Sequence, residues 1–246
     1  MFDVRCSMFD VRCSMFDVRF PFQASTFCPQ LFIKIPMWSC HAIGEGCWSW
    51  KGGDTPGVEL SARLLACYRD LKQASIAGVQ DVVPSYTELA VHFDPLEVDP
   101  LTLRARVEDR LNRMSASPER LSEGAVHVLP VRYDGADLQR VADHTGRSIE
   151  EVIARHVRPE YTVAMIGFLP HFPYCLGLDP VLEMPRLSSP RTTVPAGSVA
   201  IAGRQTGVYP GESPGGWNLL GHTDPGRLKQ LRPGDRLRFE ETKEGS

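Results

Sequence analysis

The 246-residue chain lacks several features, and each absence excludes a class of function. No apolar run approaches the roughly 20 residues that a membrane-spanning helix needs, so no membrane partner is expected. There is no excess of positive charge. Lys and Arg number 27 against 30 Asp and Glu, a formal net charge of −3, so nucleic acid is not an expected partner. There is no CxxC pair, and the seven cysteines are odd in number. Asp and Arg interrupt every short apolar run at the start, unlike a secretory signal. These features read as a reduced, cytoplasmic chain. Cys40, His41 and Cys47 match no standard zinc spacing, so no metal is expected. A GxxxxGK[ST] phosphate loop is missing, and so is an obvious Ser/His/Asp nucleophile set.

The chain opens on a repeat, MFDVRCS at 1–7 and 8–14, followed by MFDVRF from Met15. Two and a half units cannot support a solenoid. Residues 1–36 are expected to be irregular and disordered, or absent if translation begins at Met37. Organised sequence starts near Gly44. GCWSWKGG reads as a short strand. PGVELSARLLACYRDLKQA puts Leu60, Leu64, Tyr68 and Leu71 on one helical face. VQDVVPSY and TELAVHFD read as a strand pair with Leu89, Val91 and Phe93 inward. Asp99 and Pro100 open a second helix that carries Leu103, Val107, Leu111 and Met114. This βαββα order predicts a small α+β domain over residues 37–122, ending in the polar break SASPERLSEG.

Residues 123–246 begin with the strand AVHVLPVRYDG. A short helix stopped at Gly146 follows, and then a helix capped by Ser148 and Glu151. After the apolar strand YTVAMIGFLP, helical periodicity disappears. SVAIAG, WNLLGHT and DRLRFEE are short strands cut by Pro and Gly, with a type II turn at Arg232–Asp235. That pattern predicts a β-barrel or closed sheet.

Within this half, VPAGSVAIAGRQTGVYPGESPGGWNLLGHTD combines glycines that permit positive φ with prolines that stiffen the loop. Such a segment can hold Gln205, Thr206, Tyr209, Glu212, Ser213 and Trp217 on a preorganised rim. A set of barrel turns without a ligand fits the composition equally well.

Three stretches together, GFLPHFPYCLGL, PRLSSPRTTVPAGSVAIAGRQTGVYPGESPGGWNLLGHT and LRPGDRLRF, resemble the family of 5-oxoprolinase B subunits. This is also called the allophanate hydrolase subunit 1 or KipI-like family, with a carboxyltransferase-type domain. The resemblance runs from about Gly44 to the C-terminus. It implies an α+β protein: a small α+β N-terminal domain followed by a cyclophilin-like β-barrel. It also implies one component of an enzyme that opens 5-oxo-L-proline to L-glutamate, with ATP as co-substrate of the assembled complex and no metal or organic cofactor. The implied partners are two. One is a related barrel subunit, the C subunit of 5-oxoprolinase or its allophanate hydrolase subunit 2 counterpart. The other is the A subunit of 5-oxoprolinase. Two other roles occur among the relatives: inhibition of a histidine kinase by KipI-like members, and urea degradation.

Matched to the family's motifs, Arg191 is a candidate to bind carboxylate or phosphate, with a surface ion pair as the alternative. Gln205 and Thr206 would bond substrate oxygens or stabilise a turn. Tyr209 would donate from its hydroxyl. Glu212 is an acid or base if burial raises its pKa, and otherwise a loop cap. Trp217 reads as a packing anchor under the loop, with substrate contact as the alternative. Ser213 is a substrate contact without a visible base. Three departures from the family pattern stand out. His171 and Arg204 occupy positions where glycine is usual, and Cys175 with Leu176 interrupts a leucine and paired glycines. His171 is either a new acid–base group or a change in pocket shape.

Overall fold

The structure is a computed structural model and describes residues 38–115 and 124–243. The MFDVRCS repeat, the expected disorder over 1–36 and the expected boundary at 122/123 lie outside the described residues.

The first half forms a four-stranded antiparallel sheet in the order β1-β2-β4-β3: Ser39–Gly44, Cys47–Lys51, Glu88–Phe93 and Val79–Pro84. Trp50, Leu89, Val91 and Phe93 alternate inward, as period-2 patterning demands. Helices α1 (Val58–Ala74) and α2 (Pro100–Ser115) cover that face. Leu60, Leu64 and Leu71 of α1 are buried, as are Leu103, Val107 and Leu111 of α2. Each such side chain contributes about 1.5–3 kcal/mol. The Asp99 carboxylate accepts the Thr102 amide at 2.8 Å and caps α2. Strand β1 was not anticipated. It is exposed along almost its whole length, so it carries no alternating apolar signal, and only pairing with β2 makes it a strand.

The second half forms a seven-stranded sheet, in the order β12-β9-β10-β7-β6-β13-β5. The strands are β5 (Val126–Val131), β6 (Tyr161–Ile166), β7 (Pro173–Leu176), β9 (Ser198–Ala202), β10 (Gln205–Val208), β12 (Asn218–His222) and β13 (Arg236–Glu241). Only β13–β5 is a parallel pair. Arg132, just past β5, exchanges both backbone hydrogen bonds with His222 at the end of β12, at 2.9 and 2.8 Å. That bridge nearly closes the sheet into a barrel. Helices α3 (Leu138–Thr145) and α4 (Ile149–Val157) pack into the same core. The Ser148 hydroxyl caps α4, and Gly146, at φ 65°, ends α3. The Arg232–Asp235 turn closes at 3.0 Å with Gly234 at φ 91°, as a type II turn requires. A two-stranded ribbon of β8 (Arg191–Val194) and β11 (Ser213–Gly215) completes the fold. No helix among the described residues is long and apolar enough to cross a membrane.

The two sheets have separate cores within one compact unit, Pro36–Ser246. Tyr86, from the β3–β4 turn, meets Tyr174 of β7 edge-on at 5.8 Å. The Arg69 guanidinium of α1 donates to the Gly234 carbonyl at 3.0 Å.

Candidate functional site: an aromatic cleft outside the barrel

Strand β10 decides which side of the barrel its motif serves. Successive side chains alternate across a strand, and Thr206 and Val208 turn inward. Thr206 is fully buried, its hydroxyl donating to the Ala200 carbonyl at 3.1 Å and meeting His156 Nε2 at 2.8 Å. Gln205 and Gly207 take the outer side. A Cβ on Gly207 would lie 2.8 Å from the Pro173 carbonyl oxygen, 3.0 Å from the Phe172 ring and 3.1 Å from the Trp217 ring. The glycine therefore lets two aromatic rings settle on the sheet. Gly207→Ala is expected to cost about 1–3 kcal/mol through overpacking. A lowered urea midpoint with an unchanged slope checks this.

The rings above Gly207 form a third apolar cluster. Phe172 meets Tyr209 at 5.1 Å and Trp217 at 5.6 Å, both near perpendicular, and Tyr174 meets Trp217 at 5.7 Å. These are favourable edge-to-face geometries. With Phe168 and Arg186 these rings line an open cleft of about 220 Å³. Burial holds the Tyr209 hydroxyl above its usual range, although the Trp217 backbone N–H bonded to its oxygen opposes the rise. The phenol is therefore protonated at neutral pH.

Of the residues expected at the site, Tyr209 and Trp217 line the cleft together. Trp217 is also the packing anchor expected from its place in the loop, 5% exposed. Arg191 lies behind the wall. Its Nη2 donates to Asp137 at 2.7 Å and its Nη1 to the Trp217 carbonyl at 3.5 Å. The other Asp137 oxygen accepts the Leu219 amide at 2.7 Å. Gln205, Thr206, Glu212, Ser213 and His171 do not line the cleft. Glu212 is exposed, so the burial its acid–base role needed is missing. The Ser213 hydroxyl is buried without a hydrogen-bond partner.

His171 sits exposed at the tip of the turn between β6 and β7, at φ 69°. That left-handed backbone favours glycine, the residue that the family resemblance leads one to expect there. Phe168, in the same turn and on the cleft wall, has φ 67°. Strained residues of this kind cluster at ligand clamps. His171→Gly is expected to raise the melting temperature by about 2–4 °C, read by calorimetry. Of the other departures, Cys175 points into the barrel core and burial pushes its thiol up. Arg204 is exposed, 3.9 Å from Glu183.

Sequence reasoning missed Arg186, Phe172 and Tyr174. The latter two alternate around Pro173, a strand signal within GFLPHFPYCLGL. It also missed His156, which is wholly buried in the barrel. Its Nδ1 pairs with the Tyr133 hydroxyl at 2.7 Å, its Nε2 with Thr206, and its ring stacks on Phe239 at 4.6 Å. Desolvation lowers its pKa to about 3. No cluster of three or more His, Cys, Asp or Glu among the described residues could hold a metal ion.

The nearly closed barrel carries on its outside a small aromatic cleft with a protonated phenol and an arginine, and among the described residues no carboxylate or imidazole lines it. The chain belongs to the carboxyltransferase domain, subdomain C and D family, whose model matches residues 38–229. It is similar to the 5-oxoprolinase B subunit of Escherichia coli O157:H7, 46% identical over 217 residues, covering 84% of this chain and 97% of the relative. It is 34% identical over 217 residues to the 5-oxoprolinase B subunit of Bacillus subtilis (strain 168), covering 80% and 90%. Among solved structures, TTHA0988 superposes with a TM-score of 0.70 at 39% identity, covering 81% of this chain. The match spans only 40% of the TTHA0988 chain. The K. lactis urea amidolyase matches with a TM-score of 0.67 at 16% identity, covering 83% of this chain and 15% of the enzyme. At that identity it shares the fold alone.

Proposed function

We propose that this chain is the B subunit of a cytoplasmic, ATP-dependent 5-oxoprolinase, inactive alone. With its partners it opens 5-oxo-L-proline to L-glutamate. The observation that carries this reading is the 46% identity to the Escherichia coli protein over 97% of that relative. The cleft's size supports it. About 220 Å³ lies below the roughly 300 Å³ at the lower end of drug-sized pockets, which suits one small ring and not a nucleotide.

A lactam is a resonance-stabilised amide and a poor electrophile. Its oxygen attacks the γ-phosphorus of ATP and ADP leaves. Water then adds to the activated ring carbon, and the C–N bond breaks as the nitrogen takes a proton. That leaves an amine and an acyl phosphate, from which a second water releases phosphate and the carboxylate. In this scheme the chain contributes ring binding against Phe172, Tyr174 and Trp217 and a hydroxyl donor at Tyr209. Among the described residues no carboxylate or imidazole lines the cleft, and this reading assigns the acid–base steps and the nucleotide to the two partner subunits.

Assembly with both partners and measurement of oxoproline-dependent ATP hydrolysis tests the reading. Turnover by the complex and none by the lone chain is expected. Inhibition of a histidine kinase without turnover would instead identify a KipI-type inhibitor.

A further inference from the structure

We propose that Arg186 binds the carboxylate of the ligand held in the aromatic cleft, and so selects ring amides that carry a carboxylate over those that do not. The ring-amide identity rests on the preceding reading, whereas the carboxylate assignment stands on the geometry. Among the described residues, Arg186 is the only charged side chain lining the cleft. It is exposed, and none of the ion pairs or hydrogen bonds of the described residues engages its guanidinium. Arg191, five residues on, is instead committed to Asp137.

The backbone on both sides of Arg186 is pinned. The Pro185 carbonyl accepts from the Asn218 side-chain amide at 3.0 Å, and the Leu187 amide donates to the Gly216 carbonyl at 2.7 Å. The held backbone anchors the cation beside the cleft and removes part of the ordering cost of taking an anion; the rest falls on the side chain itself. Its charge opposes the effect of burial at Tyr86, Tyr174 and Tyr209, which places it in the field of the ring cluster. The Tyr86 hydroxyl in that field is buried without a hydrogen-bond partner. A carboxylate matches the planar guanidinium fork. A phosphoryl dianion is less well served, because there is one cation and two wall residues, Pro190 and Pro214, have no N–H to offer.

The test uses the assembled complex carrying Arg186→Gln or Arg186→Lys. With Gln, KM for 5-oxo-L-proline is expected to rise about tenfold to hundredfold, the range of a lost hydrogen bond to a charged group, with kcat changed far less. Lys should restore part of the loss, since it keeps the charge without the fork. The inhibition constant of 2-pyrrolidone, the same ring without the carboxylate, should not move. An unchanged KM, or a 2-pyrrolidone constant that rises in parallel, overturns the assignment while leaving the 5-oxoprolinase reading intact. If the wild-type complex shows no turnover, that reading fails. The carboxylate assignment is then decided by ligand-observed NMR titration of the full chain. Weaker 5-oxoproline binding in Arg186→Gln, with 2-pyrrolidone binding unchanged, supports it. Loss of inorganic phosphate binding instead, or no binding by the wild type, overturns it. Because Arg186 is exposed, an unchanged melting temperature verifies that the variant is folded.

Discussion

Replacing Asp137 by alanine is expected to lower stability by about 2–4 kcal/mol, because it strands two donors at once. Asp137 is nearly buried and accepts from Arg191 with one oxygen and from the Leu219 amide with the other. It therefore ties β8 and β12 to the start of α3. Arg191, 29% exposed, keeps some access to water, which holds the loss below that of a fully buried pair. Arg191→Ala should also destabilise, and the double variant should lose less than the sum of the two, by about 0.5 kcal/mol or more. Urea denaturation of the four proteins measures this. Strictly additive losses would contradict the structural role and return Arg191 to consideration as a ligand for substrate. Since Arg191 also holds the Trp217 carbonyl, its removal should loosen one wall of the cleft.

The second large effect is a dependence of stability on pH centred on His156. The Nε2–H tautomer satisfies its whole network: Tyr133 donates to Nδ1, Nε2–H donates to Thr206, and Thr206 donates to the Ala200 carbonyl. A protonated ring would lose the acceptor that Tyr133 needs and would place a charge in the barrel core. The folded chain therefore keeps the ring neutral down to about pH 3, whereas the unfolded chain protonates it near its ordinary value of about 6.5. Below that pH, unfolding takes up a proton. The stabilisation is complete above about pH 6.5 and is lost as pH falls toward 3, at up to about 1.4 kcal/mol per pH unit. The carboxylates of Glu160, Asp179 and Asp81, held low chiefly by their hydrogen bonds to Arg236, Val181 and Lys72, add their own loss only at more acid pH. The interval between about pH 6.5 and 4.5 therefore lies above the range of these carboxylates, and the other histidines, including His127 and His222 paired with Asp235 and Asp134, are common to wild type and variant, so the difference between the two curves reports His156. Melting curves of the wild type and His156→Gln across that interval should diverge: a sloping midpoint for the wild type and a flatter one for the variant. Should His156→Gln not fold, Thr206→Val, which removes one partner and keeps the ring, should show a lower midpoint with the slope retained. Parallel curves for wild type and His156→Gln would remove His156 from the account.

The same network explains a limit on reading the site from sequence. Thr206 carries a hydroxyl in a Gly-rich motif, which is the pattern of a ligand contact. Its hydroxyl instead satisfies a histidine 50 positions earlier in the chain. Nothing local distinguishes the two roles, because the partner arrives through barrel closure. Glu212 and Ser213 repeat the lesson. They share a loop with Trp217, yet that loop turns one outward and one inward, and neither reaches the cleft. Arg186 and Arg191 stand in one short segment, PRLSSPR. Which of them is free depends on where Asp137 falls, 54 residues before Arg191.

The amino-acid order by itself determined the class of fold, the family, and most of the elements. Apolar periodicity marks α1, α2 and β4. The capping serine marks α4, glycine ends α3, and the alternation of short strands with turns marks the barrel half. These signals are legible because each depends on residues within a few positions of one another. Only the tertiary structure decided the edge strand β1, the face that each residue of the Gly- and Pro-rich segment presents, and which of Arg186 and Arg191 pairs with Asp137. Those features depend on which distant groups meet. In a strand, where neighbouring side chains point to opposite sides, a shift of one residue in pairing exchanges core for cleft.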